Sequence, residues 1–321
     1  MRERPGVGLG LALLSALTFA TSGTFARPLI TGDWSAEAVV LARVGIAALV
    51  LAVPALLALR GRWDVLRRNG GTVVVFGLLG VALAQACFFN AVRYLPVGVA
   101  LLLEYLGIVL VVGWMWLVHG QRPRALTVAG SVTALCGLVF VLDLTGASRL
   151  DPVGVLWGLG AGVGLAGYFV IAGRVDDRLP SVVMASGGMA VGALALLLLG
   201  AVRVLPLRAG GADVSFAGHR MSWLVPIAGL SLIAAVVAYL TGIAGARLLG
   251  ARLSSFVGLT EVMFAVLIAW LVLGELPTGV QLVGGALIVA GVTLVRVDEL
   301  RATPGPERAG QPAEPALATE R

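Results

Sequence analysis

Most of this chain is apolar, so the few side chains inside its apolar runs that are able to do chemistry carry the argument. Two are acids: Glu104 in ALLLEYLGIVLVVGWMWLVHG (100–120) and Glu261 in LTEVMFAVLIAWLVLGELP (259–277). A charged group at the centre of a membrane helix costs roughly 3 kcal/mol, so such residues usually face a bundle interior or a wet cavity. A carboxyl group there is suited to hold a proton or a substrate amine. Arg43, in LARVGIAALVLAVPAL (41–56), is the third ionisable residue of this kind. Gln85, Tyr168 and Tyr239 are uncharged polar candidates, and Asn90 lies nearer a helix end. Each has a structural alternative: the acids pair with Arg43 or sit in a polar network, and a lone Gln or Tyr bridges helices.

The elements that position these residues follow from composition. Of 321 residues, 59% are hydrophobic and 12% charged, where a soluble chain is nearer a quarter charged. Ten segments reach the roughly 20 apolar residues of a membrane span: 6–26, 36–59, 71–94, 96–118, 124–142, 152–173, 181–202, 223–246, 251–273 and 279–295. Residues 1–26 read as a retained first helix, because the apolar stretch is longer than that of a signal peptide. Glu104 then falls about 12 Å below one end of the fourth span, at 1.5 Å per residue.

All 23 basic residues are Arg, and the net charge is +6. Nucleic-acid binding is the weaker reading of that charge, since Arg gathers in loops on one side of a membrane. With the amino terminus in the cytoplasm, sixteen Arg fall on the cytoplasmic side and six outside, so both termini are expected to be cytoplasmic. The loop around 203–222 holds three of those six. The Pro- and charge-rich stretch 298–321 is expected to be a disordered tail.

Shifted by 154 residues, the chain overlays itself. Arg93 meets Arg247, Trp116 meets Trp270, Pro123 meets Pro277, Gly130 meets Gly284 and Gly137 meets Gly291. Glu104 overlays Gly258 and Glu261 overlays Gly107, so each helix carries an acid and a glycine one turn apart on one face. Gln85 overlays Tyr239. The expected fold is an all-α membrane protein of two five-helix repeats, 1–146 and 147–297. Five spans per half is odd, so the second half enters from the opposite side. Such inverted repeats are typical of secondary transporters, with a site near the midplane.

The segments LTEVMFAVLIAWLVLGELPTGVQLVGGALIVAGVTLV, LARVGIAALVLAVPAL and FFNAVRYLPVGVALLLEYLGIVLVV resemble the drug/metabolite transporter superfamily, its EamA-type members in particular. The pattern Pro96, Gly98, Ala100, Leu103, Glu104, Gly107 is similar to the threonine/homoserine exporter branch, although Ile108 and Val262 stand where Pro is usual. The resemblance covers nearly the whole chain except the tail. It implies export of small metabolites through a cavity formed mostly by the first, third, fourth, sixth, eighth and ninth helices. Arg43 matches a family Arg outside those helices, which implies a structural or gating ion pair.

Enzyme chemistry finds little support. There is no HExxH, GxSxG or P-loop lysine, and GLGAGVGLAG (158–167) lies inside a span with no preceding strand. Small residues there let helices approach. Cys87 and Cys136 read as small buried hydrophobes, and His119 and His219 as isolated interface residues; neither pair suggests a metal site or cofactor. The hydroxyls of Ser15, Thr18, Thr21, Ser22 and Thr24 are expected to satisfy their own helix. The reading is a multi-pass transporter of a bacterial inner membrane, not an enzyme, exporting an amino acid or related amine by alternating access. Protons are a coupling ion to test, and a homodimer is left open. Export of cationic drugs is the alternative, ahead of a non-transporting scaffold or a membrane enzyme.

Overall fold

The computed structural model describes residues 5–95, 97–141, 151–176, 178–216, 219–273, 276 and 278–302. Among them are nine helices long and apolar enough to cross a membrane: α1 (Gly6–Ile30), α2 (Ala36–Ala58), α3 (Trp63–Ala91), α4 (Val99–His119), α6 (Pro152–Ala172), α7 (Ser181–Ala201), α8 (Leu224–Leu249), α9 (Ala251–Val272) and α10 (Gly279–Asp298). A shorter apolar helix, α5 (Ala125–Val141), lies between α4 and α6. Helix is the form a spanning chain must take, since lipid offers no hydrogen bonds to backbone groups.

The ends have local causes. Ser35 caps α2 by accepting from the Ala38 N–H. Asp151 caps α6 by accepting from Val153 and Gly154, with Pro152 following at the first helical position. Gly120 ends α4 in a left-handed conformation (φ 65°). Leu49, Leu117, Leu156 and Leu271 are among the most exposed side chains. Such a surface is unsuited to water and suited to acyl chains.

Packing pairs helices that are distant in sequence. α5 lies along α10, α2 along α7, α1 along α8 and α3 along α6, while α4 leans on α6 and α9 on α1. Glycines allow the closest approaches. A Cβ on Gly130 would lie 2.7 Å from the Gly291 carbonyl oxygen, and one on Gly137 would lie 2.6 Å from that of Gly284. On GLGAGVGLAG, a Cβ at Gly162 would lie 2.9 Å from the Leu103 carbonyl oxygen. That stretch is a packing surface for α4, as small residues inside a span suggest.

Several sequence expectations are corrected. α3 begins at Trp63 rather than near 71, because WDVLRRNG continues the helix beyond the apolar run. Cys136 is exposed on α5, whereas Cys87 is buried. The α7–α8 connection carries a hairpin, β1 (Val214–Phe216) and β2 (His219–Met221). The last helix continues to Ala302, and Asp298, assigned above to the tail, is 4% exposed and accepts from the Thr127 hydroxyl at 2.5 Å. Residues 303–321 of the expected tail lie outside the described residues.

Candidate functional site

α3 and α8 each contain a π-helical stretch, Gly77–Leu83 and Leu232–Val237. A π turn widens the helix and disturbs the regular i→i−4 ladder, so carbonyls need other donors. In α8 such a donor comes from another helix. Arg43 of α2 donates from Nη2 to the Ala234 carbonyl at 2.6 Å, and just past the π stretch Ser15 of α1 donates to the Ala238 carbonyl at 2.8 Å. Thr18 and Thr21 do bond their own helix, as expected, but Ser15 does not.

Arg43 is 7% exposed, and its Cζ lies 5.4 Å from the Phe19 ring centroid, a cation–π distance. Phe19 packs on Tyr239 at 5.1 Å. Tyr239 meets Tyr168 edge-on at 5.7 Å, and Tyr168 meets Phe76 at 5.4 Å. These rings form a continuous aromatic wall from α1 through α8 and α6 to α3. The Tyr168 hydroxyl is buried against Gly242 and has no hydrogen-bond partner among the described residues.

Glu104 and Glu261 come to this wall from α4 and α9. They lie within electrostatic range of each other, and Glu261 lies within range of Arg43, Tyr168 and Tyr239. Tyr105 lies within electrostatic range of both acids. Both acids are half-buried. Arg43 bonds the backbone of α8 and not a carboxylate, so its expected ion pair is a longer-range interaction. Gln85 is half-buried on α3, and among the described residues no hydrogen bond ties it to the cluster. Asn90 is buried, donates to the Ala86 carbonyl and accepts from Arg93.

Tyr105 and Phe19 were not singled out from sequence. Adjacency to Glu104 was the available signal for Tyr105. Phe19 carries none, being one apolar residue among many.

Side chains also tie the two ends of the bundle. At one end Arg174 contacts His119, Arg252 donates to the Gln121 carbonyl at 3.3 Å, and Asn69 meets Asp176 at 3.5 Å. The Arg178 backbone N–H, with Asn69 and nearby arginines, holds the Asp176 carboxyl below the usual carboxylate range. At the other end Arg93 pairs with Glu37. Among the described residues no group of three His, Cys, Asp or Glu side chains is placed to hold a metal.

A helical bundle with acids and tyrosines converging inside it fits a solute pathway. The model of the EamA-like transporter family matches residues 6–143 and 152–297. The chain belongs to this family. EamA-like membership agrees with the resemblance to the drug/metabolite transporter superfamily. This EamA-like chain is 22% identical over 300 residues to a Salmonella typhimurium protein described as an uncharacterized inner membrane transporter, YicL, covering 92% of this chain and 96% of that one. It is 26% identical over 230 residues to an uncharacterized Bacillus subtilis transporter, YwfM, covering 70% and 72%. One solved crystal structure shares the EamA-like fold with a TM-score of 0.74 at 23% identity, covering 93% of this chain and 99% of that one.

Proposed function

We propose that this chain is a secondary active exporter of the bacterial inner membrane, moving a small amine-bearing metabolite such as an amino acid by alternating access. The observation that carries the reading is that Glu104 and Glu261, from α4 and α9, lie within electrostatic range of each other and of Tyr239, with Arg43 and Tyr168 in range of Glu261. An ionised carboxylate attracts an amine, and a carboxylate that takes a proton releases it. Exchange of proton for amine at one acid couples the two fluxes. Tyr168 and Tyr239 offer aromatic faces to the same solute. No bond-breaking step is required, so the reading is not enzymatic.

The two halves, 1–146 and 147–297, are taken as inverted repeats, with α5 as a tenth crossing and 298–321 following the second half. Three observations support this. The π stretches of α3 and α8 end 154 residues apart, at Leu83 and Val237. The pair Gly130–Gly291 becomes Gly284–Gly137 when the halves are exchanged, and both contacts occur. The packing of α1 on α8 and α6 on α3 exchanges in the same way. Both termini are placed in the cytoplasm on the Arg distribution.

The test is transport in inside-out vesicles under an imposed pH gradient, with Glu104→Gln and Glu261→Gln beside wild type. Loss of gradient-driven flux in at least one variant is expected. Unchanged, gradient-driven flux in both sinks proton coupling through these acids. A second reading, export of cationic drugs, is favoured by the aromatic wall, since cations bind ring faces. Competition between an amino acid and a quaternary ammonium compound separates the two.

A further inference from the structure

Away from the carboxylates, a cavity of about 880 Å³ opens where α1 and α7 end and α2 begins. Two loops clipped together make its wall. The Ser35 N–H donates to the Arg208 carbonyl at 2.9 Å. The Ser35 hydroxyl donates to the Pro206 carbonyl at 2.7 Å and accepts from the Arg208 N–H at 3.0 Å. The clip holds a turn in which Arg203 is left-handed (φ 61°), a conformation that costs an ordinary residue roughly 1–2 kcal/mol. Both loop arginines line the cavity as a result.

Charge in this cavity is unbalanced. Glu37 is the acid among the described lining residues, and it is taken by Arg93, whose other terminal nitrogen donates to Asn90 at 3.3 Å. Asp33 packs against Gly210 outside the lining. Among the described residues no carboxylate pairs with Arg203 or Arg208. The Trp34 indole N–H is buried away from the cavity and has no acceptor among the described residues. Two exposed guanidinium groups, Arg203 and Arg208, thus line a space with no matching carboxylate among the described residues.

Apolar surface adjoins the donors. Ile30 and Val204 line the cavity and remain exposed, and Val202 beside them is 68% exposed. Trp34 packs on Trp223 with centroids 5.4 Å apart, and Trp is enriched where headgroups meet acyl chains. A soluble anion has no use for the apolar rim. A molecule with an anionic head and apolar tails uses both parts.

We propose that this cavity binds an acidic phospholipid. Arg203 and Arg208 hold the headgroup phosphate as charge-assisted donors, Trp34 and Trp223 flank the headgroup level, and the acyl chains run along Ile30 and Val204. A zwitterionic lipid brings its own cation to the two arginines and is disfavoured. The bound lipid braces the linker between α1 and α2 against the end of α7.

The test uses the full chain in nanodiscs of phosphatidylcholine with increasing phosphatidylglycerol, followed by release and native mass spectrometry to count retained lipid. Wild type is expected to retain phosphatidylglycerol over phosphatidylcholine. Arg203→Gln/Arg208→Gln is expected to lose about tenfold or more of that affinity, as removal of two charge-assisted contacts implies, while melting as wild type does in pure phosphatidylcholine. Equal retention of phosphatidylglycerol by variant and wild type overturns the proposal. So does displacement of the lipid by glycerol 1-phosphate at millimolar concentration, which marks a soluble-anion site. Arg203→Gln and Arg208→Gln singly, each expected at an intermediate level, decide the matter if the double variant fails to fold; no loss in either overturns it.

Discussion

Arg43 of α2 donates to the Ala234 carbonyl of α8 at 2.6 Å, joining residues 191 positions apart. The carbonyl belongs to a π stretch, so the guanidinium stabilises an irregularity in α8 and also places a positive charge near Glu261. Arg43→Met leaves a buried carbonyl unsatisfied, which costs about 1–3 kcal/mol. The melting midpoint in detergent is expected to fall and transport to be lost. Arg43→Lys, retaining charge without the planar fork, is expected to recover stability only in part. A methionine variant that melts and transports as wild type does removes Arg43 from both roles.

The glycines of α5 and α10 predict where bulk is forbidden. At Gly137 a new Cβ lies 2.6 Å from backbone of α10, and backbone has little freedom to yield. Gly137→Val is expected to destabilise by about 3 kcal/mol, at the upper end for overpacking. Gly113 on α4 has nothing within 4 Å of such a Cβ. Gly113→Ala is expected to be neutral or to stabilise by up to about 1 kcal/mol through helix propensity. Thermal melting of the two variants side by side checks the contrast.

The Tyr168 hydroxyl separates stability from transport. It is buried without a partner among the described residues, so Tyr168→Phe removes an unsatisfied polar atom and leaves the ring contacts in place. Melting is expected to stay the same or rise by up to about 1 kcal/mol. Transport is expected to fall if the hydroxyl meets solute in another state of the cycle. Wild-type flux from the phenylalanine variant would take Tyr168 out of the solute site.

Thr127 and Asp298 form a buried bond between α5 and α10. Thr127→Val strips a donor from a buried acid and is expected to cost about 1–3 kcal/mol. Thr127→Val/Asp298→Leu removes both polar partners and is expected to regain part of that loss. A double variant less stable than the sum of the singles contradicts this account.

What the sequence determined follows from the solvent. Lipid cannot satisfy backbone groups, so apolar runs must become helices, and the approximate places of nine spans and a shorter apolar helix among the described residues were legible without coordinates. The overlay of Glu104 with Gly258, and of Glu261 with Gly107, also singled out two acids that the fold brings within electrostatic range.

Helix rotation and irregularity were decided elsewhere. These helices are apolar on nearly every side, so no polar face indicates which side points inward. Arg43 was assigned outside the main pathway helices, yet it reaches α8 because a π stretch there exposes a carbonyl. Gln85, matched to Tyr239 by sequence, makes no hydrogen bond to the cluster among the described residues. Tyr105 and Phe19 join the cluster because of neighbours more than 100 residues away. Spans are set by local hydropathy, which a sequence displays directly. Which side chains meet inside the bundle is set by close packing at glycines and by π turns, and only the tertiary structure decides that.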